Sequence, residues 1–177
     1  TPSGLRTEDQ PYDLDIIVFA TGFDAMTGTL LNMGITGTDG RKLEEAWEGG
    51  PRTYLGLQMA GFPNFFTVTG PGSPSVLANM PVAIEQHVEW ISDCIEHLYS
   101  QDLSRIEATD EAQETWVDHV REAGEATLFP RANSWYVGAN VPGKSRVFLP
   151  YVDGMVAYRD KCDDVAQNNY DGFITSN

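Results

Sequence analysis

Apolar and polar residues fall into a few runs of distinct period along the chain. Ile16-Ile17-Val18-Phe19-Ala20 is continuous, apolar and rich in β-branched side chains, the pattern of a strand covered on both faces, and it predicts a parallel or mixed sheet. Leu55, Leu57 and Met59 alternate as a half-buried strand does, and Phe65-Phe66-Thr67-Val68-Thr69 reads as another buried strand. Asp39-Gly40 marks a weak hairpin turn, and Gly49-Gly50-Pro51 a firmer break. A helix is expected to begin near Pro81. Along it Ile84, Val88, Ile91, Ile95 and Leu98 recur at helical spacing while Glu85, Glu89, Asp93 and Glu96 lie off the stripe, which makes the stripe the expected core face. A second helix lies within residues 104–127. It starts either at the capping box Ser104-Arg105-Ile106-Glu107 or at Thr109 ahead of Asp110-Glu111, and its apolar residues are Ala112, Trp116, Val120 and Ala123. From Phe129 to Lys144 the chain has Pro130, Gly138, Pro142 and Gly143 but also Trp135 and Tyr136, so a long irregular segment with aromatic anchors is expected.

Composition narrows the class. At 177 residues, 41% hydrophobic and 11% aromatic, the chain suits an ordinary globular domain with a core. Its 26 acidic residues against 11 basic ones give a formal charge of -15, which repels phosphate backbones and anionic lipid and argues against nucleic acid or a membrane surface as partner. No apolar run approaches the roughly 20 residues of a spanning helix, and Thr1-Pro2-Ser3-Gly4 has neither the basic nor the apolar segment of a signal peptide. Two cysteines, Cys94 and Cys162, are too few for a secreted disulfide framework, so the cytoplasm is the expected location.

The junction Gly70-Pro71-Gly72-Ser73-Pro74-Ser75-Val76-Leu77-Ala78-Asn79-Met80 separates a predicted strand from a helix. Glycines there allow close backbone approach, and a helix N-terminus offers unpaired N–H groups. It departs from a dinucleotide fingerprint, because Ser75 stands where the third glycine belongs and prolines interrupt it. The residues alone leave it open between a cofactor loop and an ordinary connection. His87, Cys94 and His97 share one helix without a further set of metal-spaced ligands, and a structural or surface role is expected for them. No Gly-x-Ser-x-Gly elbow exists to make Ser73 or Ser75 a nucleophile, and the many carboxylates read as solvated surface. Trp135-Tyr136 suits either stacking on a ring or sugar or anchoring its own loop.

Taken together, four stretches resemble Type I Baeyer-Villiger monooxygenases of the phenylacetone and cyclohexanone monooxygenase branch. They are Asp15-Ile16-Ile17-Val18-Phe19-Ala20-Thr21-Gly22-Phe23-Asp24, the junction from Gly70 to Met80, Ile84-Glu85-Gln86-His87, and Ser134-Trp135-Tyr136 with Gly138-Ala139-Asn140-Val141-Pro142-Gly143-Lys144. The likeness runs from about Tyr12 to the end of the chain. It implies an α/β fold, the C-terminal part of a flavoprotein with two Rossmann-like dinucleotide-binding domains for FAD and NADP, with two longer helices after the strands. Residues 1–24 would end the NADP-domain sheet and return to the FAD domain. Residues 25–103 would complete the FAD domain, including a strand-loop-helix at 65–99. Residues 104–177 would hold a C-terminal helix, an NADP and substrate loop at 129–146, and the terminal segment.

The same resemblance implies an enzyme that forms a C4a-peroxyflavin with O2 and inserts oxygen into a ketone, giving an ester or lactone. Met80 would lie at the flavin and Trp135 at NADP, closing over it. Ser75, Val76, Leu77 and Tyr136 would line the substrate pocket. No catalytic residue is assigned within the chain, because the family's peroxyflavin-stabilising arginine would lie upstream. No Gly-x-Gly-x-x-Gly occurs for either dinucleotide, so the segment is expected to be inactive without the N-terminal FAD and NADP portion. Two alternatives remain: a stand-alone remnant acting as a binding module, and a relative that oxidises amines or sulfides.

Overall fold

Several runs with strand-like patterns fold otherwise. The computed structural model describes residues 1–20 and 22–177; Thr21, inside the Ala20-Thr21-Gly22 stretch, lies outside them. β1 (Gly4–Arg6) and β2 (Pro11–Asp13) form a small antiparallel hairpin. The run from Ile16 to Ala20, predicted as a strand, joins no sheet, and Ile16, Val18 and Phe19 are 80%, 81% and 84% exposed. A run apolar on both faces requires neighbours on both edges and both faces, and none of the described residues supplies them. The expected parallel or mixed sheet is likewise not built by the described residues, whose sheets are two antiparallel pairs.

Next come two short helices, α1 (Gly28–Asn32) and α2 (Leu43–Ala46). Between them Thr36 pairs with Lys42 across Asp39-Gly40. Asp39 and Gly40 have φ of 56° and 76°, the left-handed geometry that a tight Asp-Gly hairpin turn demands at both central residues. The turn expected there is present, closed by a single bridge. Leu43, Trp47, Met59 and Phe62 make a small core beneath it.

Leu55, Leu57 and Met59 are all buried, yet they lie in coiled backbone rather than in the predicted strand. Leu55 and Gly56 have φ of 58° and 69°, which curls the chain so that Tyr54 bridges Gln58. The Phe65 to Thr69 strand is also absent, although Thr67 N–H donates to Leu57 O at 2.8 Å. Burial was encoded by these apolar residues, but the left-handed turn at 55–56 prevents a ladder.

The remaining elements are α3 (Met80–Ser100), β3 (Arg105–Ala108), α4 (Asp110–Glu125), α5 (Met155–Gln167) and β4 (Phe173–Ser176). Pro81 sits in the first turn of α3, where its missing N–H costs no helical bond. The core face of α3 is rotated from the predicted one: of the predicted stripe Leu98 is buried and Ile91 packs against the core, but the other three residues do not. Ala83, His87, Trp90, Cys94 and Leu98 are buried, whereas Ile84, Val88 and Ile95 are 40%, 48% and 40% exposed. Trp90 decides the rotation: its indole Nε1–H donates to Cys162 O at 2.9 Å and its ring packs edge-on against Tyr170, drawing that face onto α5 and the segment after it.

The capping box at Ser104 is not used, because residues 105–108 pair with β4 in antiparallel register. Thr109 is the cap: its Oγ1 accepts from Ala112 N–H at 3.1 Å. Trp116 and Val120 then face the main core shared by α3, α4, α5 and residues 54–57.

Candidate functional site

The Gly70 to Met80 junction is pinned along its first half. A Cβ at Gly70 would stand 2.6 Å from Gly56 O and 2.5 Å from Thr67 Oγ1, so glycine there serves close backbone packing inside the fold. Thr53 Oγ1 donates to Pro71 O at 2.6 Å, Trp116 Nε1 to Gly72 O at 3.0 Å, and Ser73 Oγ to Gly70 O at 2.7 Å. Tyr151 N–H donates to Ser73 O at 2.8 Å. Ser73 is therefore a buried strut, with its hydroxyl committed to the loop.

The second half turns outward. Ser75 to Leu77 form a single 3-10 turn packed on the start of α3. Ser75 is buried with φ of 44°, Val76 is exposed, and Leu77 and Met80 are half-buried. Asn79 makes no side-chain capping bond, so the first turn of the 21-residue helix keeps N–H groups available and carries partial positive charge. Val76, Leu77 and Met80 thus lie together at an open helix start, with Ser75 shaping the loop from beneath.

Residues 129–146 form the expected irregular segment, with turns at Phe129–Arg131 and Trp135–Val137. Trp135 and Tyr136 stack with ring centroids 4.2 Å apart, both half-buried, and Phe129 packs on Tyr136 at 5.1 Å. The segment is joined to the junction through one residue. Leu149 N–H donates to Tyr136 O at 3.0 Å, and Gly72 N–H donates to Leu149 O at 2.7 Å. A cavity of about 520 Å³ lies behind the two loops, lined by Pro71, Gly72, Trp116, Val137, Phe148 and Leu149 among others; none of the six sequence-predicted site residues lines it.

The far end of the segment is latched to the beginning of the chain. The Lys144 ammonium pairs with the Asp24 carboxylate, which also accepts from Thr27 Oγ1, and Asn140 Nδ2 donates to Phe23 O at 2.8 Å. Sequence reasoning placed Asp24 and Lys144 in matching stretches without joining them, since a contact across 120 residues leaves no periodic trace. It also passed over His87 Nδ1, which accepts the Thr69 N–H at 2.8 Å. The one available signal was that His87 belongs to the Ile84 to His87 stretch.

Burial agrees with structural roles for His87 and Cys94 on α3 and Cys162 on α5. Burial lowers His87 to about 4, leaving a neutral ring at neutral pH. Burial likewise pushes the Cys94 and Cys162 thiols up to about 12, too high for thiolate chemistry. His97 lies against the Tyr170 ring at 4.9 Å. Among the described residues no group of three or more His, Cys, Asp or Glu side chains could hold a metal ion.

No family model matches the chain. An acetone monooxygenase (methyl acetate-forming) from Gordonia sp. (strain TY-5) is 46% identical over 166 residues, 93% of this chain and 31% of the relative. A phenazine N-monooxygenase from Lysobacter antibioticus is 42% identical over 175 residues, 98% of this chain and 32% of the relative. Two solved structures superpose closely. Cyclohexanone monooxygenase from Rhodococcus sp. Phi1 bound to NADP+ has a TM-score of 0.94 at 42% identity, over 98% of this chain and 33% of that one. An OTEMO complex with FAD and NADP has a TM-score of 0.93 at 41% identity, over 99% and 32%. The chain spans about a third of the length of the relatives it matches. Its homologues at this level include Baeyer-Villiger monooxygenases, and its mixed helix and strand fold is that of a third of such flavoproteins.

Proposed function

We propose that these residues are the C-terminal third of a cytoplasmic, FAD- and NADPH-dependent Baeyer-Villiger monooxygenase built on two dinucleotide-binding domains, which converts a ketone and O2 to an ester or lactone. The division suggested by the resemblance goes with it: residues 1–24 leave the NADP domain, 25–103 complete the FAD domain, and 104–177 carry the loop over both ligands. The observation that carries the reading is the superposition of nearly the whole chain, at 41% identity, on a protein in complex with FAD and NADP.

The residues present fit one wall of such a site. Val76, Leu77 and Met80 offer apolar surface at an uncapped helix start, where positive backbone charge favours an electron-rich ring and its oxygen substituents. The stacked Trp135-Tyr136 pair offers an aromatic platform for a nicotinamide or adenine, and Ser134 Oγ beside it is buried without a protein partner. The chain contains no Gly-x-Gly-x-x-Gly, so the phosphate-binding loops belong to the remaining two thirds. FAD reduced by NADPH supplies the oxygen activation, with one atom of O2 entering the bond beside the carbonyl and the other leaving as water. This chain's part is to exclude water with Val76, Leu77 and Tyr136, to orient the ketone, and to hold the nicotinamide cofactor under Trp135.

The surface supports a piece of an enzyme over a self-contained remnant. Ile16, Val18, Phe19 and Phe23 are each at least 80% exposed, far more apolar surface in one segment than a monomer ordinarily leaves in water. The phenazine N-monooxygenase relative supports a second reading, oxidation at nitrogen. One experiment separates the two. The full-length protein, supplied with FAD, NADPH and ¹⁸O2, is given small and cyclic ketones or a heteroaromatic amine. Ester or lactone carrying one labelled atom is the expected product. An N-oxide without ester would establish the second reading, and a flavin-loaded protein that oxidises neither would reject both.

A further inference from the structure

We propose that His87 is a positioning residue that staples the entrance of the substrate loop to the helix beginning at the loop's exit. This rests on the reading of Ser75 to Met80 as one wall of the ketone pocket. The loop leaves Thr69 and re-enters regular structure at Met80, the first residue of α3. His87 stands two turns further along that helix and is wholly buried. Its Nδ1 accepts the Thr69 N–H at 2.8 Å, so both ends of the loop are held by one rigid element.

The local backbone explains why a staple is needed. Thr69 has φ of 54°, a left-handed conformation that a β-branched residue adopts only when its surroundings impose it. Ser75, at the outward turn, has φ of 44°. A loop with two such residues would relax if its entrance were free. Thr67 Oγ1, bonded to Gly56 O at 2.9 Å, holds the preceding residues, but the Thr69 amide itself relies on the imidazole.

The imidazole serves this bond at a cost elsewhere. For Nδ1 to accept, the proton must sit on Nε2, and Nε2 is buried with no acceptor. A buried donor without a partner is destabilising, and an apolar side chain of similar volume would avoid it. What such a side chain would lose is the acceptor facing Thr69. His87 therefore contributes geometry at the loop rather than stability in the core. It does not touch the reacting atoms.

Isosteric amides test the assignment in the full-length enzyme. Asparagine places Oδ1 where Nδ1 stands, whereas glutamine matches the histidine volume better but places its oxygen where Nε2 stands. Hydrogen exchange over residues 69–79 is expected to stay within about twofold of wild type in His87→Asn and to accelerate by about tenfold or more in His87→Gln. The ketone KM should rise severalfold in His87→Gln with a smaller change in kcat, and return toward wild type in His87→Asn. Equal exchange in the two variants, or faster exchange in His87→Asn, overturns the staple. Exchange that follows the acceptor while ketone kinetics stay fixed supports the staple and overturns the placement of this loop at the ketone.

Discussion

Trp135 and Trp116 show how differently two indoles can be used in one small fold. Trp116 is 4% exposed, stacks on Tyr151 with centroids 5.3 Å apart, and donates to Gly72 O; its truncation would open a cavity and cost on the order of 3–5 kcal/mol. Trp135 is half-buried, and Tyr136 is the aromatic neighbour on which it stacks. Trp135→Ala in the full-length enzyme is therefore expected to leave flavin content and melting temperature nearly unchanged while lowering kcat/KM for NADPH by about tenfold or more, on the order of 1.4 kcal/mol of lost transition-state stabilisation. Unchanged steady-state kinetics in NADPH would remove Trp135 from the cofactor site. Both tryptophans were legible as apolar, but only position separated them: Trp116 recurs with Val120 at helical spacing, and Trp135 sits among glycine and proline. The role of His87 was not legible in the same way, because a hydrogen bond to a strained amide eighteen residues away leaves no mark on periodicity.

At the level of elements, α3 was legible in its limits and misread in its orientation. The aliphatic stripe at Ile84, Val88 and Ile95 is the stronger sequence signal, yet these residues are 40–48% exposed while the stripe through Trp90 and Cys94 is buried. Helical periodicity reports that a face is apolar and says nothing about which of two apolar faces meets which partner. α3 has two such faces, one packed against α5 and one exposed here, which on the proposed reading is covered by the rest of the enzyme. The same ambiguity explains Ile16 to Ala20, whose pattern is that of a central strand in a sheet that these residues do not contain. A charge placed on the open face separates the two environments. By exposure alone Val88→Asp would change stability by about 0.5 kcal/mol or less. In the full-length enzyme it is expected to cost on the order of 2–4 kcal/mol and to lower the melting temperature by several degrees. A melting temperature within a degree of wild type would mean that the stripe faces solvent in the whole protein, and the partner for α3 would have to be sought elsewhere.

The whole molecule combines a well-filled core with an unfinished surface. Trp90, Trp116, Tyr158 and Ile106 belong to one continuous buried cluster; Trp116 ties the junction to it through Gly72 O, and Leu149 joins the junction to the Trp135-Tyr136 loop. Val76 at the turn before α3 is exposed, by contrast, and Phe19 and Phe23 near the start of the chain are more than four-fifths exposed. On the proposed reading, a protein arranged this way would keep its part of a binding site ordered and would take its grip on a dinucleotide from glycine-rich turns at helix starts in the rest of the enzyme. Two consequences follow for the 177 residues on their own. If the proposed reading holds, these residues purified alone should be colourless and retain well under one equivalent of FAD. They should also bind an apolar dye such as ANS in the folded state, since the uncovered surface is present without any unfolding. A yellow preparation with stoichiometric flavin would mean that the wall formed by Val76, Leu77 and Met80 suffices for binding and that the missing phosphate loops add only affinity. Absence of dye binding would mean that Ile16, Val18, Phe19 and Phe23 are covered when the chain is alone, as expected of a self-contained remnant.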